Sequence, residues 1–101
     1  MIVEVYHDGI HTASVDTPPE YQSHEDMLEY AWRWTNNIEG SWSRPGNPDY
    51  NPKVTVHAPL PVHDGKVYGH RSSMMGDLFK IGDRSYIVAM MGFREVGNSN
   101  G

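Results

Sequence analysis

Apolar and polar residues alternate from the first residues of the chain. Val3 and Val5 fall on one side of a run from Ile2 to His7, and Ile2, Glu4 and Tyr6 fall on the other. β-Branched and aromatic residues in that pattern predict a half-buried strand, and Asp8-Gly9 predicts the turn that ends it. From Ile10 to Val15 the alternation resumes, with Ile10, Thr12 and Ser14 against His11, Ala13 and Val15. This stretch is the returning arm of a hairpin, stopped by Pro18-Pro19.

The period then changes. Met27, Leu28, Ala31, Trp32, Thr35 and Ile38 recur at helical spacing and leave Glu29, Arg33 and Asn36 on the other face. Ser23 and Asp26 have the spacing of a capping box, with Asp in place of Glu, and Glu25, Asp26 and Glu29 load the first turns with negative charge that favours a helix N-terminus. These signals predict a helix from His24 to about Asn37, ended by Asn36-Asn37 or Gly40 in a left-handed conformation.

Gly40, Pro45, Gly46, Pro48 and Pro52 forbid regular structure between Glu39 and Pro52, so a long loop carrying Trp42 and Tyr50 is expected. Lys53 to Ala58 alternates again, and the prolines after it predict an edge strand. His63-Asp64-Gly65-Lys66 reads as a turn. Leu78 to Ile81 and Ser85 to Met90 form a hairpin around Gly82-Asp83, and Met91-Gly92 bends the chain into a last strand, Phe93 to Val96. The pattern describes one α+β domain over residues 1–96: a helix packed on a small, mostly antiparallel sheet with a C-terminal hairpin. A partial barrel of rolled C-terminal strands is the alternative. Gly97 to Gly101 is expected to fray.

Composition narrows this picture. The 101 residues suffice for one core but not for an added cofactor lobe, and the three Trp, six Tyr and two Phe supply large buried areas. With no Cys there is no disulfide, zinc-thiolate or thiol nucleophile. No apolar run reaches membrane-spanning length and no basic leader precedes one, which points to the cytoplasm and away from a membrane partner. Residues 1–50 hold nine acids and two bases and residues 51–101 hold four acids and six bases, so a net charge of −5 hides an acidic first half. No basic stripe of the kind that binds nucleic acid is present.

Arg71-Ser72-Ser73-Met74-Met75-Gly76-Asp77, then Ile81-Gly82-Asp83, Tyr86-Ile87-Val88 and Gly92-Phe93, resemble an arrangement found in short accessory proteins of bacteriophages, plasmids and conjugative elements. Thr35-Asn36-Asn37-Ile38-Glu39-Gly40-Ser41-Trp42 resembles the helix end and Trp-bearing loop that precede that block. Met74 departs from the pattern, which has Ser there. The family has no established activity, so the resemblance implies a mobile-element setting and transfers no catalytic residue and no cofactor.

Candidate chemistry is sparse. Six histidines are scattered, and His7 and His11, four apart, are separated by the Asp8-Gly9 turn, so no metal signature emerges, although a hairpin could bring the two together. Ser72 or Ser73 with His70 and Asp77 makes a hydrolytic set on paper, but no nucleophile elbow accompanies it. An anion or small nucleotide has a better claim on His70, Arg71, Ser72 and Ser73, where a guanidinium and hydroxyls cluster. Trp34, Trp42, Arg44 and Tyr50 have the composition of a protein-binding hot spot, flanked by the acidic helix start, while Trp42 could instead fold back to cap the core. Met74, Met75, Met90 and Met91 suit either a core or an adaptable apolar surface. The expected function is that of a non-catalytic phage accessory protein that binds and modulates a host protein in takeover or defence evasion, with a small anion-, nucleotide- or nucleic-acid-binding module using Arg71-Ser72-Ser73 as the alternative. An unpaired edge strand would support a homodimer.

Overall fold

The computed structural model describes residues 1–97; the tail expected at Gly97 to Gly101 lies, beyond its first residue, outside the described residues. Two arms, β1 (Ile2–His7) and β2 (Ile10–Asp16), pair antiparallel around Asp8 and Gly9, both at positive φ (53° and 78°). That is the mirror-image turn whose twist matches a hairpin, and its second position accepts Gly because no Cβ is present to clash. The chain continues through α1 (His24–Trp34), β3 (Val54–Val56), the two-residue strands β4 (Val62–His63) and β5 (Lys66–Val67), then β6 (Leu78–Ile81), β7 (Arg84–Val88) and β8 (Phe93–Val96). Six strands form one antiparallel sheet in the order β3-β2-β1-β6-β7-β8, while β4 and β5 pair separately. The fold is therefore α+β with an open sheet. Its ends at β3 and β8 are separate edges, which removes the partial barrel as a description.

Alternation sorts the side chains as expected. Val3, Val5, Phe79, Ile81, Tyr86 and Val88 point to the inner face and are buried there against Met27, Leu28 and Ala31 of the helix. The other face of the sheet carries Glu4, Tyr6, Ser14 and Lys80. One irregularity interrupts this order. Val5 pairs with Ala13 but Tyr6 pairs with His11, so Thr12 is the extra residue of a β-bulge. The simple alternation expected for β2 is broken there: Thr12 and Ala13 are both buried, and Ile10 is exposed. Thr12 Oγ1 is satisfied locally, accepting from His7 N (3.2 Å) and donating to the Ile10 carbonyl (2.9 Å).

The helix begins as expected, with Ser23 Oγ accepting from Asp26 N (3.1 Å), but it ends three residues before Asn37. Thr35 is its C-cap. Its hydroxyl donates to the Ala31 carbonyl (2.8 Å) and its amide to the Trp32 carbonyl (3.3 Å), tightening the last turn as the chain turns away. Ile38, expected on the apolar helix face, consequently lies beyond the helix and is exposed. β3 is an edge strand, as its prolines predict, though shorter than Lys53 to Ala58.

Candidate functional site

The segment from helix end to Trp42 and the segment from Arg71 to Asp77 are far apart in sequence, and the fold clasps them together. Ser73 N donates to the Thr35 carbonyl (2.8 Å), Asn37 N to Ser72 Oγ (2.8 Å), and Asn37 Nδ2 to the His70 carbonyl (3.1 Å). Trp42 Nε1 donates to the Arg71 carbonyl (2.8 Å), and its own amide to Asn37 Oδ1 (2.9 Å). Its ring is 0% exposed, stacked on His70 and edge-on to His7. A second node orders the loop: Asp49, buried, accepts the amides of Ile38, Glu39 and Gly40 at 2.6–2.8 Å and pairs with Arg33 at 3.1 Å. The Gly40 amide is the strongest influence on that carboxyl, which is held down to about 2. Gly69 sits where a Cβ would run into Ser41 and Ser43, so the clasp also requires a residue without one.

These contacts decide the anion and hydrolytic readings of the block. Of the five N–H groups of Arg71, four are used: Nη1 donates to Asp77 Oδ2 (2.7 Å) and the Ser72 carbonyl, and Nη2 to Asp77 Oδ1 (3.0 Å) and Asp8 Oδ2 (3.3 Å). Two carboxylates already answer its single charge. Burial pushes the Asp77 carboxyl up, but Arg71 and the Met74 amide outweigh it, leaving Asp77 below the usual carboxylate range. Ser72 Oγ accepts the Asn37 amide, and His70 Nε2 donates to the Ala58 carbonyl (2.9 Å). Most of the polar atoms expected to cradle an anion are thus engaged within the protein.

Ser73 is buried beside His7, not His70, with Ser73 Oγ 2.8 Å from His7 Nε2. Proton counting fixes the direction of that bond. Thr35 gives its one hydroxyl proton to the Ala31 carbonyl, so Ser73 donates to Thr35 (2.7 Å) and His7 Nε2–H donates to Ser73. Asp77 Oδ2 stands 3.7 Å from the same nitrogen. In a hydrolytic relay the imidazole accepts from the serine and the carboxylate holds the other ring nitrogen, and neither condition is met. Burial, against the pull of Asp77, lowers His7 to about 4 and keeps it neutral.

The expected hot spot does not assemble as a surface. Trp42 is unavailable because it closes the core beneath the loop, the second of its two expected roles. Trp34 is half-buried with Tyr30 and Arg33 as its ring partners, Arg44 is exposed, and Tyr50 is half-buried. His7 and His11 do not converge either: His7 faces the interior and His11 the open side of the sheet.

An apolar surface appears elsewhere. Ala89 N donates to the Gly92 carbonyl (2.8 Å) across the β7–β8 turn and leaves Met90 and Met91 at its tip, 85% and 91% exposed. Met75, at 60%, comes from the end of the clasp. Between them lies half-buried Phe93, which packs on Phe79 (5.1 Å between centroids) and edge-on to Trp32 (6.5 Å). Two shallow grooves meet at Gly92 and Phe93; one runs past Trp32, Met75 and Met90, the other past Leu28, Tyr86 and Met91. Glu25, Glu29 and Glu95 line their sides. The sequence held these methionines as a candidate surface, but only the β7–β8 turn and the clasp bring residues 75 and 90–93 together. Comparison with family models, with curated proteins and with solved structures finds no match to this chain.

Proposed function

We propose that the chain is a protein-binding domain that docks a basic, amphipathic segment of a host protein on the methionine-rich face and modulates that protein without catalysis. The observation that carries this reading is the surface of exposed Met75, Met90 and Met91 around half-buried Phe93, bordered by three glutamates. Methionine side chains are unbranched and polarizable, so they mould to a partner's apolar residues at small steric cost. Exposed apolar area of this kind marks an interaction site in a soluble domain. The acidic border selects a partner whose apolar stripe is flanked by Lys or Arg, since complementary charge speeds encounter and rejects acidic competitors. The host setting rests on the resemblance of the 35–42 and 71–93 blocks to phage and plasmid accessory proteins.

A synthetic Leu/Lys amphipathic helix is the direct probe. It should bind saturably, with NMR shifts concentrated in the methyl groups of Met75, Met90 and Met91, and Met90→Glu/Met91→Glu should weaken binding at least about tenfold, the equivalent of roughly 1.4 kcal/mol. Shifts spread over the 39–52 loop instead, or affinity unchanged in the double variant, would refute this placement of the surface.

A further inference from the structure

The open face of the sheet, away from both the clasp and the methionine face, brings together three side chains from three successive strands or their ends. We propose that Glu4, His11 and His57 form a binding site for a divalent transition-metal ion of the Zn2+ class. Their ligating atoms all lie within 4.8 Å of one another, and His11 Nε2 is 3.3 Å from Glu4 Oε1. Metal–ligand bonds of about 2.0–2.1 Å in a tetrahedral shell place neighbouring ligand atoms about 3.4 Å apart. The Glu4–His11 pair already has that spacing, and His57, whose ligating nitrogen lies within 4.8 Å of both, completes the triangle by a short side-chain movement.

The β-bulge at Thr12 builds this site. In unbroken register His11 would pair with His7 and point to the interior; the extra residue places it opposite Tyr6 on the open face, where the two rings stack at 4.9 Å. The same Thr12 carbonyl accepts the backbone amide of His57 (2.8 Å), which fixes the third residue just past β3. The His11 and His57 rings are 4.5 Å apart between centroids. Ser14, paired with Glu4 across the hairpin, donates to Glu4 Oε1 and so orients that ligand; it also lies 2.7 Å from His57 Nε2, a contact that the ion would replace on binding.

The donor set selects the metal. Two imidazole nitrogens with one carboxylate oxygen favour Zn2+ and its neighbours over Mg2+ or Ca2+, which take shells of oxygen. The imidazoles coordinate through Nε2 in the neutral form with the proton on Nδ1. Three protein ligands leave a fourth position for water, and the ion would tie the β3 edge to β1 across β2.

Isothermal titration of the untagged chain with ZnCl2 tests this, with Co2+ as a spectroscopic substitute. A single saturable site and the strong visible absorption of tetrahedral Co2+ are expected. Glu4→Gln, His11→Ala and His57→Ala should each weaken Zn2+ binding more than about tenfold, whereas His63→Ala, on the separate β4–β5 hairpin, should leave it unchanged. Glu4→Gln preserves side-chain shape and His57 is exposed, so unchanged far-ultraviolet circular dichroism should accompany the loss. Absence of saturable binding, binding that survives His11→Ala/His57→Ala, or equal loss in His63→Ala would overturn the assignment.

Discussion

Within two residues the chain passes from Ser73, buried and hydrogen-bonded on both sides, to Met75, largely exposed and apolar. The clasp around Arg71 to Asp77 and the methionine face are adjacent regions with inverted chemistry. In the clasp, Ser73 and Asp77 are buried, Arg71 is half-buried, and all three are hydrogen-bonded within the protein; on the face, apolar groups are left in water. A buried polar group with all its partners made has little left to offer a ligand, whereas an exposed apolar side chain still has its burial to gain. The block most suggestive of chemistry in the sequence is thus largely engaged in internal contacts, and residues suited to an ordinary core form the candidate surface. The clasp also serves the face, because Met74 N donates to Asp77 Oδ2 (2.8 Å) and so fixes where Met75 emerges.

Substitution separates the two regions. Trp42→Ala should cost the most, about 3–5 kcal/mol by chemical denaturation, since it opens a cavity and strips the Arg71 carbonyl of its donor. Arg71→Ala should follow at about 2–3 kcal/mol, below the full cost of breaking a buried ion pair because the guanidinium is one-third exposed. If the clasp positions Met75, this variant also loses peptide affinity while Met90 and Met91 are intact. By contrast, Met90→Glu/Met91→Glu should change stability by no more than about 0.5 kcal/mol while weakening docking at least about tenfold. A destabilisation matching that of Trp42→Ala would mean the face belongs to the core and would erase the contrast.

Acid should attack the buried polar nodes in two stages. His7 is held at about 4, below its ordinary 6.5, so the unfolded chain binds the proton more readily and stability falls as pH drops from 6.5 toward 4. Asp49, at about 2 against an ordinary 3.8, contributes stability that is present above 3.8 and lost as pH falls through 2. Thermal melts across this range should show both declines. His7→Gln should remove the first and Asp49→Asn the second.

Much of the architecture was legible in order. Capping at Ser23, the period change at the helix, the Asp8-Gly9 turn and the alternation of β1, β6 and β7 are local signals, and each is a property of neighbouring residues. The helix end was misplaced because Thr35 terminates it through contacts with Ser73, a residue 38 positions away. The bulge at Thr12 left no mark that alternation could reveal, and with it went the placement of His11 beside Glu4 and His57. Arg71 is only six residues from its partner Asp77, but Asp8, 63 positions away, also reaches it, and no sequence pattern shows that second carboxylate.

The sequence by itself determined the α+β class, the antiparallel hairpins, the helix start and the edge position of β3, since these depend on periodicity and turn chemistry within a few residues. Only the tertiary structure decided which side chains remain available. Availability depends on partners brought from distant segments: Trp42 under the loop, Asp8 on Arg71, His7 on Ser73, and the methionines left without a covering element among the described residues. Those pairings are made across the fold, so no local pattern along the chain could carry them.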